Sequence, residues 1–305
     1  MRRTMNQTTS PATLPWTGYA CALLATAIWS GNFIVARGLA QDIPPVSLAF
    51  FRWLTATAVI LPFAFRGMVR QRRLIRDSLG HLVPTAFLGV TLFNTLVYMA
   101  GHSTTALNMS LIAVFSPVFI IILARALFAE PITPRRCLGV LLAVTGIIAL
   151  ATGGDLSRLT GLRLNPGDGV MLFATLIFAA YTILVRRKPG DMTPLTYLAA
   201  LFPAGLLMLT PWAAWEWIAL RPGLPPAHAL GPILYVGIGA SLVSFLLWNR
   251  AIGSIGPTRA GLVYYSLPGF CGLEAWLILG EPVTWVHAAA GLLIVSGILI
   301  ATRGR

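Results

Sequence analysis

The fold of this 305-residue chain is decided by the stretch PVFIIILARALFAEPITP at residues 117–134. The stretch recurs as PGFCGLEAWLILGEPVTW at residues 268–285. Among the residues that recur 151 positions apart are Pro117, Glu130, Pro131 and Thr133, which return as Pro268, Glu281, Pro282 and Thr284. Farther upstream the spacing is 149, as Arg37, Asp42, Pro45 and Pro62 recur as Arg186, Asp191, Pro194 and Pro211. The chain therefore contains one unit in two copies.

The composition indicates a lipid bilayer as the solvent. Hydrophobic residues make up 57% of the chain and charged residues 10%, and the mean hydropathy is +0.79. Ten segments have the length and apolarity of a span: 17–36, 46–65, 82–100, 106–127, 135–153, 167–185, 194–215, 230–250, 257–279 and 284–302. We expect an all-α integral membrane protein with ten transmembrane helices, five in each unit. Because five is odd, the second unit enters the membrane inverted, and inverted repeats around a central cavity are typical of carriers.

The basic residues predict the orientation. Of the 22 Lys and Arg residues, seventeen lie in segments on the side of the N-terminus, Arg52 lies within a span, and four lie on the opposite side, namely Arg37, Arg158, Arg163 and Arg221. This bias is typical of cytoplasmic segments. We therefore expect a multi-pass protein of the bacterial inner membrane with both termini in the cytoplasm. The cytoplasmic basic residues explain the net charge of +13, so this charge does not predict a nucleic-acid partner.

These patterns divide the chain into five parts. Residues 1–15 are a polar tail, predicted to be disordered in the cytoplasm, 16–153 are the first unit, 154–166 are a periplasmic linker, 167–302 are the second unit and 303–305 are a cytoplasmic tail. The three cysteines are odd in number and scattered, which indicates neither a disulfide framework nor a metal site. Because motifs of known enzymes are missing from the sequence, we expect no enzyme, no cofactor and no metal.

Two prolines occupy matching places within the fourth and ninth spans. Pro117 and Pro268 free the carbonyl groups of Ala113 and Tyr264 and so weaken the helix. Hinges in the middle of the membrane suit alternating access. Prolines that only shape packing are also common in membrane helices, so both interpretations stay open here.

Small polar and aromatic residues collect on five spans, and in the third and eighth spans their spacing places them on one helix face. They are Trp29, Asn32 and Phe33 in the first span, Thr91, Asn94 and Tyr98 in the third, Thr175, Phe178 and Tyr181 in the sixth, Ser241, Ser244 and Trp248 in the eighth, and Tyr264 and Tyr265 in the ninth. We predict that these side chains line a shared substrate cavity. Packing between helices is the alternative.

Two ionisable residues lie within spans, Arg52 in the second and Glu274 in the ninth. Exposing either to lipid costs about 2.5 to 3.5 kcal/mol, so each should face protein or water. In one hypothesis Glu274 binds a substrate ammonium or a coupling proton and Arg52 attracts a carboxylate. In the other the two residues form a structural ion pair. Glu130 and Glu281 end their spans and are predicted to cap neighbouring helix N-termini.

The chain resembles the drug/metabolite transporter superfamily, specifically its EamA family. The resemblance covers nearly the whole chain and rests on Trp29-Ser30-Gly31-Asn32-Phe33, Arg52, the stretch from Ala100 to Ala106, Pro117, Glu130-Pro131, Ala251, Gly256-Pro257-Thr258-Arg259, Pro268 and Gly280-Glu281-Pro282. It implies a proton-linked or gradient-driven carrier with a cavity between its halves, which exports amino acids or related metabolites. Within the family the chain looks most like exporters of the YddG type, which carry aromatic and other amino acids.

We therefore predict an exporter of aromatic and other neutral amino acids, or of related small metabolites, that works by alternating access. Its expected partners are the small-molecule substrate, the lipid bilayer and, as a coupling ion, the proton. Efflux of lipophilic or cationic drugs on the same fold is the alternative, with Glu274 as the attractant. Two other classes stay open: an intramembrane enzyme, which the missing motifs disfavour, and a scaffold whose polar stripes would be dry and buried.

Overall fold

The computed structural model describes residues 15–128, 133–155, 165–190, 192–255, 260 and 263–302, and within these ranges every regular element is a helix. The predictions for the two tails, for the linker beyond residue 155, for Glu130-Pro131 and for residues 256–259 fall outside the described residues, except that Pro15 already belongs to the first helix. The predicted all-helical class is confirmed.

The helices follow the predicted spans closely. In order they are α1 (Pro15–Gly38), α2 (Pro45–Arg70), α3 (Arg72–Asp77), α4 (Leu79–Gly101), α5 (Ala106–Ala113), α6 (Ser116–Phe128), α7 (Pro134–Thr152), α8 (Pro166–Arg186), α9 (Pro194–Leu220), α10 (Ala227–Leu234, Tyr235–Val243 and Ser244–Ile255), α11 (Leu267–Leu279) and α12 (Trp285–Thr302).

Length and apolarity qualify seven segments of the described chain to cross a membrane: α1, α2, α4, α5 together with α6, α8, α9 and α10. Shorter apolar helices, Cys137–Leu150, Leu267–Leu279 and Trp285–Gly297, lie at the fifth, ninth and tenth predicted spans. Apolar helices thus occupy all ten predicted places. The count of ten membrane crossings is not established by these lengths and stays a prediction.

Proline and a capping side chain explain where two helices of the second unit begin. Asn165 accepts a hydrogen bond from the Gly167 N–H at 3.1 Å, and Pro166 follows as the first residue of α8. Thr193 likewise accepts from the Thr196 N–H at 3.3 Å, and Pro194 begins α9. Both pairs combine a capping oxygen with a residue whose missing N–H needs no partner in the first turn.

The last helices of the two units, α7 and α12, pack closely against each other. A Cβ atom on Gly146 would lie 2.8 Å from the Ala290 carbonyl oxygen, and one on Gly297 would lie 2.5 Å from the Gly139 carbonyl oxygen. Residue numbers rise along α7 as those of the partners fall along α12, so the two helices run antiparallel. The small residues therefore serve packing within the chain, and the antiparallel packing agrees with an inverted second unit.

The second helices of the two units, α2 and α9, also pack antiparallel. Ser47 at the start of α2 contacts Glu216 near the end of α9, whereas Gly67 near the end of α2 lies against Thr196 at the start of α9. Midway, the ring centroids of Trp53 and Phe202 are 4.9 Å apart. These two residues are counterparts at the spacing of 149, so the two units meet here about a pseudo-twofold axis.

The third helices of the two units change their winding at corresponding places. α4 is π-helical over Phe87–Leu92 and α10 over Tyr235–Val243. Asn94 donates from Nδ2 to the Gly89 carbonyl oxygen at 3.4 Å, and Ser244 donates from Oγ to the Gly239 carbonyl oxygen at 3.0 Å. Each side chain bonds to the carbonyl group five residues earlier, which is the spacing of the backbone bonds in a π-helix. π-Helical stretches are frequent at functional sites, and the two helices that contain these stretches both contribute to the polar network described below.

Candidate functional site

A polar network surrounds Arg52 where α1, α2, α4 and α10 meet. Arg52 is only 4% exposed. Its Nε donates to Ser241 Oγ at 3.0 Å, and its Nη1 donates to Asn32 Oδ1 at 2.5 Å and to Tyr98 Oη at 3.1 Å. The Tyr98 hydroxyl donates to the same Asn32 oxygen at 3.1 Å. The structure thus joins three predicted cavity residues, each from a different helix, to the predicted cation.

The partners of Arg52 are all neutral. Among the described residues no carboxylate lies within 4.0 Å of the guanidinium, and none accepts a hydrogen bond from Nη2. A buried charge without an opposite charge is unfavourable, and hydrogen bonds to neutral groups compensate for it only in part. The network therefore holds the guanidinium in place and leaves one nitrogen able to donate to a ligand.

Glu274 lies elsewhere and is no counterion of Arg52. Its Oε2 accepts a hydrogen bond from Ser30 Oγ at 2.9 Å. Ser30 and Asn32 are two residues apart on α1, which places them roughly 160° apart around the helix. Glu274 and Arg52 consequently contact opposite faces of α1. The structural ion pair that the sequence left open is not formed.

Two further polar groups on α2 lack partners. Trp53 Nε1 and Thr57 Oγ1 are buried, and neither has a hydrogen bond to a described residue. The Trp53 ring lies beside the guanidinium, with 5.1 Å between its centroid and Arg52 Cζ, and Thr57 follows one turn along the same face. Buried polar atoms without a partner are rare and call for an explanation such as a ligand or water. Sequence reasoning missed both residues, since only tertiary packing shows that a partner is lacking.

An aromatic cluster forms around Trp29. Its ring centroid lies 5.2 Å from that of Trp248, 5.5 Å from Phe245 and 6.0 Å from Tyr264. The Trp29 Nε1 donates to the Ala240 carbonyl oxygen at 3.0 Å, which fixes the indole against the π-helical stretch of α10. Three of these four residues were predicted cavity residues. Phe245 was missed, although it lies next to the predicted Ser244.

A second aromatic cluster lies between α4 and α8. The Phe178 ring centroid is 4.9 Å from that of Phe93 and 6.0 Å from that of Tyr181. Tyr181 fills the space over Gly89, where a Cβ would come within 2.4 Å of its ring. Phe178 is the counterpart of Trp29 at the spacing of 149. Each cluster thus joins the first helix of one unit to the third helix of the other.

The remaining predicted cavity residues form contacts that do not involve Arg52. Thr91 Oγ1 donates to the Gly205 carbonyl oxygen at 2.9 Å and Thr175 Oγ1 to the Met171 carbonyl oxygen at 2.8 Å. Phe33 is buried, and Tyr265 is half-buried in a turn. Asn94 and Ser244 bond within their own helices, as described above. No described hydrogen bond joins these residues to Arg52, so whether they contact substrate stays a prediction.

The chain is interrupted just before each predicted hinge proline. Pro117 is the second residue of α6, after a turn at residues 114–115, and Pro268 is the second residue of α11, after a turn at residues 265–266. The Phe115 N–H donates to the Ile112 carbonyl oxygen and the Ser266 N–H to that of Val263, both at 3.0 Å. The two turns correspond at the spacing of 151. Neither proline therefore lies within a continuous helix: each is the second residue of a new helix, where it fits the first turn, and the role of a hinge stays a prediction.

Glu281 caps the N-terminus of α5. It accepts a hydrogen bond from the Ala106 N–H at 3.1 Å, at the start of α5, and its Oε1 lies 3.4 Å from Arg37 Nε. Burial raises the pKa of Glu281, while the Ala106 N–H and Arg37 limit the rise. The predicted capping role is confirmed for Glu281, and Glu130 lies outside the described residues.

Glu216 performs a similar role that sequence reasoning missed. It is 4% exposed and accepts from the N–H groups of Val46 and Ser47, at 3.2 and 2.7 Å, and from Ser47 Oγ at 2.7 Å. A carboxylate is favourable at a helix N-terminus, here that of α2. The seventh span was predicted to end at residue 215, which placed Glu216 in a loop, whereas α9 continues to Leu220.

Comparison with known proteins identifies the family. The profile of the EamA-like transporter family matches residues 16–152 and again residues 165–303. The chain belongs to this family. An uncharacterized transporter of Archaeoglobus fulgidus is 26% identical to this EamA chain over 281 residues, which cover 92% of the chain and 95% of the relative. A protein of Streptantibioticus cattleyicolor named "Probable terminal-alkyne amino-acid exporter" is 23% identical over 289 residues, with 92% of both chains covered.

The fold is found among solved structures as well. A crystal structure of a protein with 20% sequence identity matches at a TM-score of 0.62. The match covers 94% of the EamA chain and 96% of the chain in that structure. The identity is too low to carry more than the fold. The family makes this protein a multi-pass membrane transporter, and the names of its relatives likewise indicate transporters rather than enzymes.

Proposed function

We propose that this EamA transporter exports aromatic and other neutral amino acids, or related small metabolites, across the bacterial inner membrane by alternating access. Both termini would lie in the cytoplasm, as the basic residues predict. The observation that carries the proposal is Arg52, a buried cation whose described partners are neutral and whose Nη2 donates to no described residue. The amino-acid exporter named among the relatives supports the same substrate class.

In this proposal Arg52 binds the substrate carboxylate. A carboxylate at Nη2 would supply the missing opposite charge, and charge-assisted hydrogen bonds of this kind are about twice as strong as neutral ones. Asn32, Tyr98 and Ser241 hold the guanidinium in position before the substrate arrives. Trp53 Nε1 and Thr57 Oγ1 offer further donors on the same helix. The site would therefore favour anions and zwitterions over cations.

The cluster around Trp29 supplies the apolar part of the proposed site. Trp29 and Trp248 are partly exposed rings held at 5.2 Å from each other on helices that also carry the polar network. Aromatic rings stack on apolar or aromatic side chains and also attract an ammonium group. Large neutral amino acids present both kinds of group.

The turns before Pro117 and Pro268 supply the proposed movement. Rocking of one unit against the other requires helices that can bend near the middle of the membrane. Glu274 would carry the coupling proton: it contacts the opposite face of α1 from Arg52, so that proton and substrate would act on the same helix.

The proposal is tested by transport into proteoliposomes. Uptake of labelled phenylalanine is measured with threonine, 3-phenylpropionate, phenethylamine or a cationic dye as competitor. We expect threonine and 3-phenylpropionate to compete and the two cations to fail. Arg52→Gln should abolish the uptake of phenylalanine itself, whereas Arg135→Gln, which removes an exposed arginine at the start of α7, should preserve both the uptake and the competition by 3-phenylpropionate.

The second candidate function is efflux of lipophilic or cationic drugs. It is favoured by Glu274, a half-buried carboxylate whose described hydrogen bond comes from the neutral Ser30. In that case the dye and phenethylamine would compete, Glu274→Gln would abolish transport, and Arg52→Gln would have little effect. This result would reject the amino-acid proposal.

A further inference from the structure

A groove on the surface of α2 lies away from the polar network. It has a volume of about 920 Å³ and is lined by Ala58, Leu61, Phe65 and Val69 of α2 and by Arg72 and Ile75 of α3. Its walls are apolar except at the end formed by α3. Gln71 separates α2 from α3, and the groove lies where the chain bends between these two helices.

The length of the groove fits one leaflet of a bilayer. Ala58 and Val69 are eleven residues apart on α2, which is roughly 17 Å along a helix axis. Half of the hydrocarbon core measures about 15 Å. An acyl chain lying along this stretch would extend from the middle of the membrane to the level of α3.

The end of the groove at α3 is strongly basic. Five exposed arginines lie within eleven residues of the chain: Arg66, Arg70, Arg72, Arg73 and Arg76. Among the described residues no carboxylate lies within 4.0 Å of any of them. Asp77 is the single acidic residue in this segment. The cluster therefore carries an excess positive charge at the predicted cytoplasmic end of α2, where lipid headgroups would lie.

The short helix α3 has the pattern of an interfacial helix. Leu74 and Ile75 pack against the hydrophobic core, while Arg72, Arg73 and Arg76 are exposed. An apolar face directed inward and arginines directed outward are typical of helices that lie in the headgroup region. Arg72 belongs both to the groove lining and to the basic face, so it links the two features.

We propose that this groove binds one anionic phospholipid, with an acyl chain along α2 and the phosphate between Arg72 and Arg76. Guanidinium groups bind phosphate oxygens in a bidentate manner. A zwitterionic lipid offers the same acyl chain but no net charge to the arginines. The groove would thus select lipids by headgroup charge, at a site separate from that of the transported molecule and independent of what that molecule is.

The test measures lipid binding by native mass spectrometry of the full-length protein in detergent. Dissociation constants are determined for phosphatidylglycerol and phosphatidylcholine with identical acyl chains. We expect at least tenfold tighter binding of one phosphatidylglycerol. Arg72→Gln with Arg76→Gln should remove this preference, as each arginine near an anionic headgroup contributes about fivefold. Arg135→Gln with Arg250→Gln removes two exposed arginines outside the groove and should preserve it.

The acyl chain is tested separately. Ala58→Phe fills the groove from a lipid-facing position and should weaken binding of both lipids, whereas Ala214→Phe, an exposed alanine on α9, should weaken neither. Three results would overturn the proposal: equal affinity for the two lipids, equal losses in the two arginine double variants, or a stable dimer whose contact Ala58→Phe abolishes, because a second copy would then fill the groove.

Discussion

α2 and α9 hold corresponding places in the two units, yet the polar site belongs to α2. The counterpart of Arg52 at the spacing of 149 is Leu201, which is 1% exposed, and the counterpart of Thr57 is Leu206. Trp53 and its counterpart Phe202 touch each other across the pseudo-twofold axis. The contact between the two copies is thus apolar on both sides, while the buried arginine belongs to one copy. Symmetry of the backbone does not imply symmetry of the site.

The two ends of this helix pair differ as well. At the predicted outer end, Glu216 of α9 accepts three hydrogen bonds from the start of α2. At the other end its counterpart is Gly67, where a Cβ would lie 2.7 Å from Thr196 Oγ1. A buried carboxylate therefore holds one end of the pair, and close packing of a glycine against a hydroxyl holds the other. In this conformation the predicted outer end is fixed more firmly.

The largest effect is expected when α2 is made like α9. Arg52→Leu removes the proposed carboxylate site and should lower kcat/KM for phenylalanine export by about 1000-fold, the loss that follows removal of a buried charged partner. Because the guanidinium has no described counterion, the apparent Tm should stay equal or rise. Initial rates in proteoliposomes and a melting curve in detergent provide the two measurements.

A substitution at the counterpart position sharpens this comparison. Leu201→Met changes the counterpart position conservatively and should leave export within a factor of two, because it alters the apolar contact and not the site. A large loss of export from Leu201→Met would show that the counterpart position also contributes to transport. A lowered Tm in Arg52→Leu would show that Arg52 serves the fold rather than the substrate.

The sequence predicted the members of the polar network because such residues are conspicuous in apolar spans. Arg52, Asn32, Tyr98 and Ser241 all meet as a cluster, and the helix positions follow from hydropathy and the repeat. The missing partner of Trp53 could not be predicted, since hydrogen-bond satisfaction depends on packing between distant helices. Glu216 was missed for a local reason: its span was ended at residue 215, five residues before the end of α9, so a buried cap was taken for part of a loop.

The next effect concerns the end held by Glu216. Glu216→Ala leaves the N–H groups of Val46 and Ser47 buried without acceptors, and we expect the free energy of unfolding to fall by about 3 kcal/mol. Thr196→Val at the opposite end removes a hydroxyl that bonds to Thr193 at 2.8 Å, and should cost about 1 kcal/mol. Equal losses measured by denaturant titration in detergent would contradict the difference between the two ends.

A smaller and symmetric effect is expected where the units pack alike. Gly146 and Gly297 are counterparts, and a Cβ on either would overlap backbone atoms of the other unit, so Gly146→Ala and Gly297→Ala should each cost about 2 kcal/mol. Gly231→Ala on α10 has no atom within 4 Å of the new Cβ and should be neutral or stabilising. A substantial loss in only one of the two counterparts would show that α7 and α12 do not contribute equally to this contact.

The smallest effect is a pH dependence at Glu281. Burial raises the pKa of this carboxyl above its usual value of 4.5, although Arg37 and the Ala106 N–H oppose the rise. The folded protein therefore binds the proton more tightly than the unfolded chain, and stability is lost as pH rises through the raised pKa. We expect the apparent Tm of the wild type, measured relative to that of Glu281→Gln, to fall as the pH is raised from about 4 to about 7. Other titrating groups are common to both proteins and cancel in this difference. A rise of the relative Tm with pH would mean that the contact with Arg37 outweighs burial. The pKa of Glu281 would then lie below its usual value, and the ion pair would contribute more to stability than the burial of the carboxyl costs.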